Sequence, residues 1–209
     1  MATAECNSTA SFEALSCKAE NRTVNASSQA LTITELNTKG ALLFQPKVYA
    51  DERGAFSETF NQEMRGLIGG HTFVQDNESY SKRGVLRGLH YQVMSPQGKL
   101  VRVVTGEVFD VIVDLRKGSR TFGKHCSRII SGQNRHILWV PKGFAHGFLT
   151  LSESAVFVYK CTERYSPEHE RTLIWNDPDL GIQWPLDGSP LLSAKDARGL
   201  RLRESEVFL

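Results

Sequence analysis

Short apolar runs, each closed by glycine, proline, asparagine or aspartate, follow one another through residues 41–162 and leave room for scarcely any helix. Runs of this length that alternate in polarity, or that are rich in β-branched and aromatic residues, read as strands. They cover residues 41–49, 55–60, 71–75, 85–92, 100–105, 107–115, 126–130, 136–140, 147–151 and 155–162. Residues 61–68 are the best helix in the core, and residues 193–200 hold a second short one near the C-terminus. Many short strands without intervening helices argue against β-α-β units and for a barrel or sandwich.

The length of 209 residues suits one domain with a full core. Residues 1–30 are polar and expected to form a mobile extension, so the domain is taken as residues 31–209. Residues 31–36 alternate apolar and polar and could begin a sheet. No apolar run has the length of a membrane-spanning helix. The formal net charge is +2, with Lys and Arg spread along the chain. Neither a membrane nor nucleic acid is therefore an expected partner. No basic start leads into an apolar stretch, so the sequons at Asn7, Asn21 and Asn25 read as chance matches and a cytoplasmic location is expected. Cys6, Cys17, Cys126 and Cys161 lack the close spacing of a zinc or redox motif, and Cys126 and Cys161 read as buried thiols.

Four segments could carry chemistry. Residues 85–92 place Arg87 and His90 in an apolar strand, on opposite faces under strict alternation. A bulge at Gly88 would bring both to one face; otherwise this is an edge strand with two exposed polar residues. In residues 107–114, Asp110, Ile112 and Asp114 share a face, and Arg102 is a candidate partner for the carboxylates. Glycines at 143 and 147 bracket His146, which a tight turn would present at a barrel mouth, unless it is a core histidine bonded to a backbone carbonyl. Tyr159 lies in an apolar strand, where tyrosine serves packing as readily as catalysis. The six histidines show no metal-ligand spacing, so no metal and no other cofactor is expected.

Ordered together, several motifs resemble dTDP-4-dehydrorhamnose 3,5-epimerases. They are Asp51-Glu-Arg-Gly-Ala-Phe-Ser-Glu58, Phe73-Val-Gln-Asp-Asn77, Val85-Leu-Arg-Gly-Leu-His-Tyr-Gln92, Gln97-Gly-Lys-Leu-Val-Arg102 and Gly106-Glu-Val-Phe-Asp-Val111. Pro141-Lys-Gly-Phe-Ala-His-Gly-Phe148, Trp175-Asn-Asp-Pro178 and Leu192-Ser-Ala-Lys-Asp196 follow in the same order. The resemblance spans residues 41–197. It implies an all-β, cupin-type jelly-roll barrel with a few short helices, a homodimer, and metal-free epimerisation at C3 and C5 of dTDP-4-keto-6-deoxy-D-glucose for dTDP-L-rhamnose biosynthesis. His90 matches the base, Asp196 its carboxylate partner, Tyr159 the acid on the opposite face and Lys99 the cation at the keto oxygen. Arg53, Phe56, Glu58, Gln75, Asn77, Arg87, His146 and Tyr165 match positions lining the nucleotide-sugar site. Arg164 departs from the family, standing where an aromatic associated with base stacking is common, and leaves nucleotide preference open. A C3-only or C5-only epimerase of a related sugar would carry the same residues, and a sugar-nucleotide-binding cupin without turnover is a further alternative. For such a binding module, keeping both an acid and a base has no purpose. In the homodimer, residues 31–36 are a candidate for exchange between subunits.

Overall fold

The computed structural model describes residues 31–209, together with the backbone of residues 22–24. Most of the extension expected over residues 1–30 lies outside the described residues. The strands are β1 (Arg22–Val24), β2 (Leu31–Glu35), β3 (Leu42–Pro46), β4 (Tyr49–Asp51), β5 (Gly54–Phe56), β6 (Gln75–Lys82) and β7 (Leu86–Gln92). They continue as β8 (Lys99–Thr105), β9 (Glu107–Asp114), β10 (His125–Ser131), β11 (Ile137–Val140), β12 (Phe144–Thr150), β13 (Ser154–Cys161) and β14 (Glu170–Thr172). One sheet runs β1-β2-β3-β11-β8-β13-β6 and a second β10-β9-β12-β7-β14, while β4 and β5 form a separate hairpin. This is the cupin-type jelly roll in two-sheet form. β2 pairs with β3 of its own chain.

Each sheet has two faces to cover, and three apolar clusters do so. Between the sheets, Val101, Val103, Leu138 and Phe157 of the first meet Val108, Ile112, Ile130 and Phe148 of the second. Phe148 and Phe157 stack across this space at 4.3 Å between ring centroids. The outer face of the second sheet, including Phe109, Val111 and Val113, is covered by Leu173, Leu180 and further C-terminal residues such as Trp184 and Phe208. Leu100, Ile137 and Trp139 on the outer face of the first sheet pack against Met64 and Ile68. Those two belong to the single α-helix among the described residues, α1 (Gln62–Leu67), and its C-cap. Its N-cap is Asn61, whose side chain accepts from the Met64 N–H, as capping chemistry requires. Short 3₁₀ turns at Pro167–His169, Asp196–Arg198 and Leu202–Glu204 are the remaining helical elements among the described residues, so the expected helix at 193–200 is one turn.

The expected strand at 71–75 is wrong. Residues 71–74 are loop, and the strand is Gln75–Lys82. This strand edges its sheet and alternates half-buried and exposed residues, so its sequence is almost wholly polar. Residues 41–49 divide into β3 and the start of the β4–β5 hairpin. Arg102 does not pair with the β9 carboxylates, because its neighbours Leu100 and Val101 put it on the outer face. Asp114 is instead bonded by Arg116 at 2.8 Å and by the hydroxyls of Ser119 and Thr121 at 2.7 and 2.6 Å.

Burial pushes the Asp114 carboxyl up, but the Arg116 guanidinium, the two hydroxyls and the Arg116 N–H outweigh it and hold the pKa at about 2. A carboxyl depressed in the folded state stabilises above its unfolded pKa and loses that contribution as pH falls. Unfolding free energy should therefore drop by about 2 kcal/mol between roughly pH 4 and pH 2 through this group. Asp114→Asn should flatten that part of a pH series of urea melts. An unchanged acid limb in the variant would reject the assignment.

Candidate active site

The interior is apolar along most of its length and polar at the end between the edge strands β6 and β14. On the first sheet, Tyr159 stands directly opposite Asn77 and Val101, and Cys161 opposite Gln75 and Lys99. Opposed residues share a face, so Lys99, Gln75, Asn77 and Tyr159 all point into the space between the sheets. On the second sheet, His90 pairs with His146, and Arg87 with Phe148. From His90 to Arg87 is three residues, and from His146 to Phe148 is two. β7 therefore carries the extra residue of a bulge, which brings Arg87 and His90 to one face as expected.

The bulge depends on two glycines. Gly88 has φ +117°, and a Cβ there would lie 2.7 Å from Gly147 Cα and from the His146 carbonyl oxygen. A Cβ on Gly147 would lie 2.6 Å from the Arg87 carbonyl oxygen. Two bare α-carbons thus let β7 and β12 close beside both histidines. His146 is not in a tight turn. It sits within β12, whose residues are all buried, and its Nε2 lies 2.9 Å from Asp110 Oδ2. The glycine needed by sheet packing at 147 imitates a turn signal.

His90 Nε2 lies 2.5 Å from Asp196 Oδ1, which leaves Nδ1 as its other ring nitrogen. The Ser193 hydroxyl donates to Asp196 Oδ2 at 2.8 Å, so both carboxylate oxygens are engaged. Burial pushes the Asp196 carboxyl up; the hydrogen bond and charge of His90, with Ser193, overcome it and hold the carboxyl below its ordinary value. Across the cleft, burial first, then Cys161 and Glu170, raise the phenol of Tyr159. Burial pushes the Lys99 ammonium down, opposed in part by Cys161, Glu170 and Asp110. The site therefore holds a fixed anion, a neutral phenol and an ammonium lowered by burial, a spread of environments of the kind that acid–base chemistry uses.

Glu170 is a member that sequence reasoning missed. It accepts from Lys195 at 2.8 Å and from the Tyr165 hydroxyl at 2.9 Å. Burial pushes its carboxyl up, and Lys195, Tyr165 and the charge of His90 bring it below the ordinary value. Its strand, β14, is three residues long and carries no apolar alternation, so no local pattern marks it. Arg87 donates to Ser81 Oγ at 2.9 Å and to the Tyr80 carbonyl at 3.2 Å. Arg53, Phe56 and Glu58 are not brought to this cleft by their own chain. Arg53 pairs with Asp51 at the exposed tip of the β4–β5 hairpin, and Glu58 accepts from Asn61 at the start of α1, on the outer side of the first sheet. Among the described residues, no group of three or more His, Cys, Asp and Glu could hold a metal ion. No helix there is long and apolar enough to cross a membrane.

Residues 35–204 match the family model for dTDP-4-dehydrorhamnose 3,5-epimerase. The chain belongs to that family. It is 52% identical over 177 residues to the dTDP-4-dehydrorhamnose 3,5-epimerase of Pseudomonas aeruginosa, covering 84% of this chain and 98% of the relative. Among solved structures it resembles the dTDP-6-deoxy-D-glucose-3,5-epimerase of Legionella pneumophila Philadelphia 1 in complex with dTDP-4-keto-L-rhamnose. That match has 49% identity and a TM-score of 0.81, and covers 84% of this chain and 95% of the other. It also resembles a 3′-monoepimerase from Streptomyces bikiniensis in complex with dTDP-quinovose, at 36% identity and a TM-score of 0.76 over 80% and 86% of the two chains. The chain is accordingly an isomerase.

In this epimerase, Gly147→Ala should push β7 from β12 and cost about 1–3 kcal/mol of stability. It should also misplace His90 and His146 and lower turnover in the fraction that stays folded. Thermal melts and activity on the same sample check this. A variant with unchanged melting temperature and rate would show that the two strands do not need the close approach.

Proposed function

We propose that this epimerase inverts C3 and C5 of dTDP-4-keto-6-deoxy-D-glucose, giving dTDP-4-keto-L-rhamnose on the route to dTDP-L-rhamnose. The observation that carries the reading is the His90–Asp196 pair on one wall of a cleft whose other wall bears Tyr159. Hydrogens at C3 and C5 are acidic because the neighbouring C4 ketone takes up the charge as an enolate. His90 removes such a proton: the C–H electron pair moves into the ring and the C4 oxygen gains charge. Asp196, held as an anion, orients the imidazole and stabilises its protonated form. Lys99 faces the same space, where a cation beside the developing oxyanion lowers the barrier more in the transition state than in the ground state. Tyr159, whose phenol keeps its proton at neutral pH, returns a proton to the opposite face, and inversion results. Acid, base and electrophile are all side chains, so the step calls for no metal and no organic cofactor.

Arg87, with donors in a planar fork, suits the diphosphate. Gln75, Asn77, His146 and Tyr165 line the remainder of the sugar-nucleotide cleft. The β4–β5 hairpin supports a homodimer in which a second copy supplies Arg53, Phe56 and Glu58. Its aromatic residues Tyr49 and Phe56 are 50% and 65% exposed, an unusual cost for apolar side chains without a partner. Mixing His90→Ala chains with Arg53→Ala chains tests this. Heterodimers should regain activity neither parent has, because one of their two sites combines the intact residues. If Arg53→Ala alone is inactive and mixing restores nothing, the hairpin serves its own chain.

Incubation with the 4-keto sugar in D₂O should place deuterium at both C3 and C5. Label at only one carbon would make the protein a mono-epimerase, as the Streptomyces neighbour is named. Absence of exchange at both would remove this substrate. His90→Ala should lower exchange by at least about 10²-fold at unchanged melting temperature.

A further inference from the structure

The segment from Thr162 to Ser166 crosses from β13 in one sheet to the 3₁₀ turn before β14 in the other, and belongs to no β ladder. It therefore bridges the mouth of the cleft and joins the strand of Tyr159 to the strand of Glu170. A backbone without ladder partners needs other ones. Three glutamines provide them. Gln97 Nε2 donates to the Glu163 carbonyl at 2.9 Å. Gln92 Nε2 donates to the Arg164 carbonyl at 3.3 Å and to the Ser95 carbonyl at 2.8 Å, while Gln92 Oε1 accepts from the Ser166 N–H at 2.9 Å. Gln75 Oε1 accepts from the Tyr165 N–H at 2.8 Å. Gln75 and Gln92 lie on opposite sheets, so the segment is gripped from both sides.

Gln92 is 4% exposed, and both ends of its carboxamide are hydrogen-bonded. Its orientation is forced by its partners: an N–H needs the oxygen and two carbonyls need the nitrogen. Gln92 touches none of the reacting groups. Its strand neighbour Tyr91 faces away from the cleft, and Gln92 itself stands opposite Glu170. We propose that Gln92 is a positioning residue that preorganises the sheet-crossing segment, so that Tyr165 and Glu170 are set for the nucleotide sugar before it arrives. The inference rests on the epimerase reading for its ligand. Ordering a loop in advance removes part of the entropy cost of binding and leaves the proton-transfer groups untouched. Losing Gln92 therefore weakens binding and spares the chemical step.

The variants are Gln92→Leu, which removes all three bonds, and Gln92→Glu, which keeps shape and acceptor but sets a carboxylate against two carbonyl oxygens. Both should raise the Kd for dTDP and the KM for the 4-keto sugar about ten-fold while kcat changes by less than about two-fold. In the wild type, the Tyr165 and Ser166 amides should exchange hydrogen as slowly as those of β13, and in the variants much faster. A fall in kcat at constant KM, or wild-type Kd in a folded variant, would overturn the proposal. So would fast exchange of these two amides in the wild-type protein, a result that needs no variant to fold. A wild type that fails to bind dTDP but protects both amides would sink the substrate reading and leave the positioning role standing.

Discussion

The stacked rings of Phe148 and Phe157 are the contact on which the site depends, because they join the two sheets directly below the polar residues. Phe157 lies 4.3 Å from Phe148 and 6.0 Å from both His146 and Tyr159. One aromatic pair thus fixes the separation of the walls and supplies the dry floor beside the two site rings. Water excluded from below makes every charge above the floor act over a lower effective dielectric. The same exclusion raises the Tyr159 phenol and lowers the Lys99 ammonium, both chiefly through burial. Packing and site environment are therefore one arrangement here: a smaller residue at 157 would loosen the walls and wet the Tyr159 phenol at once.

Charges in the cleft are ordered by which of them have partners. Asp196 has His90 and Ser193, Glu170 has Lys195 and Tyr165, and both carboxyls stay below their ordinary range despite burial. Asp110 has His146 on Oδ2, while Oδ1 is buried without a hydrogen-bond partner among the described residues. Lys99 is drawn toward Asp110 and Glu170 but bonded to neither carboxylate in a direct ion pair, so its ammonium remains available to a ligand oxygen. Paired carboxylates build the walls, and Lys99, without an ion pair among the described residues, stands where the proposed mechanism develops negative charge. That asymmetry is what distinguishes an enolising site from a structural ion-pair network.

The fold was legible wherever burial imposes a pattern. β8, β9 and β13 begin and end within a residue or so of the apolar runs that announce them. β6 and β14 were not legible, since edge strands with a wet face need few apolar residues and leave polar sequences that resemble loop. Within the site, His90 and Arg87 were readable because a glycine in an apolar strand signals a bulge. Gly147 gave the opposite result: the same residue type, required by close sheet packing, suggested a turn and misplaced His146. Glu170 stayed hidden because its partners, Lys195 and Tyr165, are separated from it by 25 and 5 residues and bear no spacing rule. Resemblance supplied the roles of Asp196 and Lys99, which no local pattern could assign.

Strand-borne groups and segment-borne groups are held by different means. His90, Tyr159, Lys99, Asp110 and His146 sit on paired strands, where ladder bonds on both sides resist displacement. Tyr165 belongs to a segment held by side chains, and Asp196 to a single 3₁₀ turn tied by Ser193. Proton transfer tolerates little positional error, so rigid strands suit the proposed acid and base. Recognition of a flexible diphosphate and sugar tolerates adjustment, and suits a segment whose order is tuned by a few amide bonds. Whether one carbon or two is inverted then depends on how the ring is presented to His90 and Tyr159. In the proposed mechanism the same acid and base serve both outcomes, which places the control in the walls that orient the sugar between them.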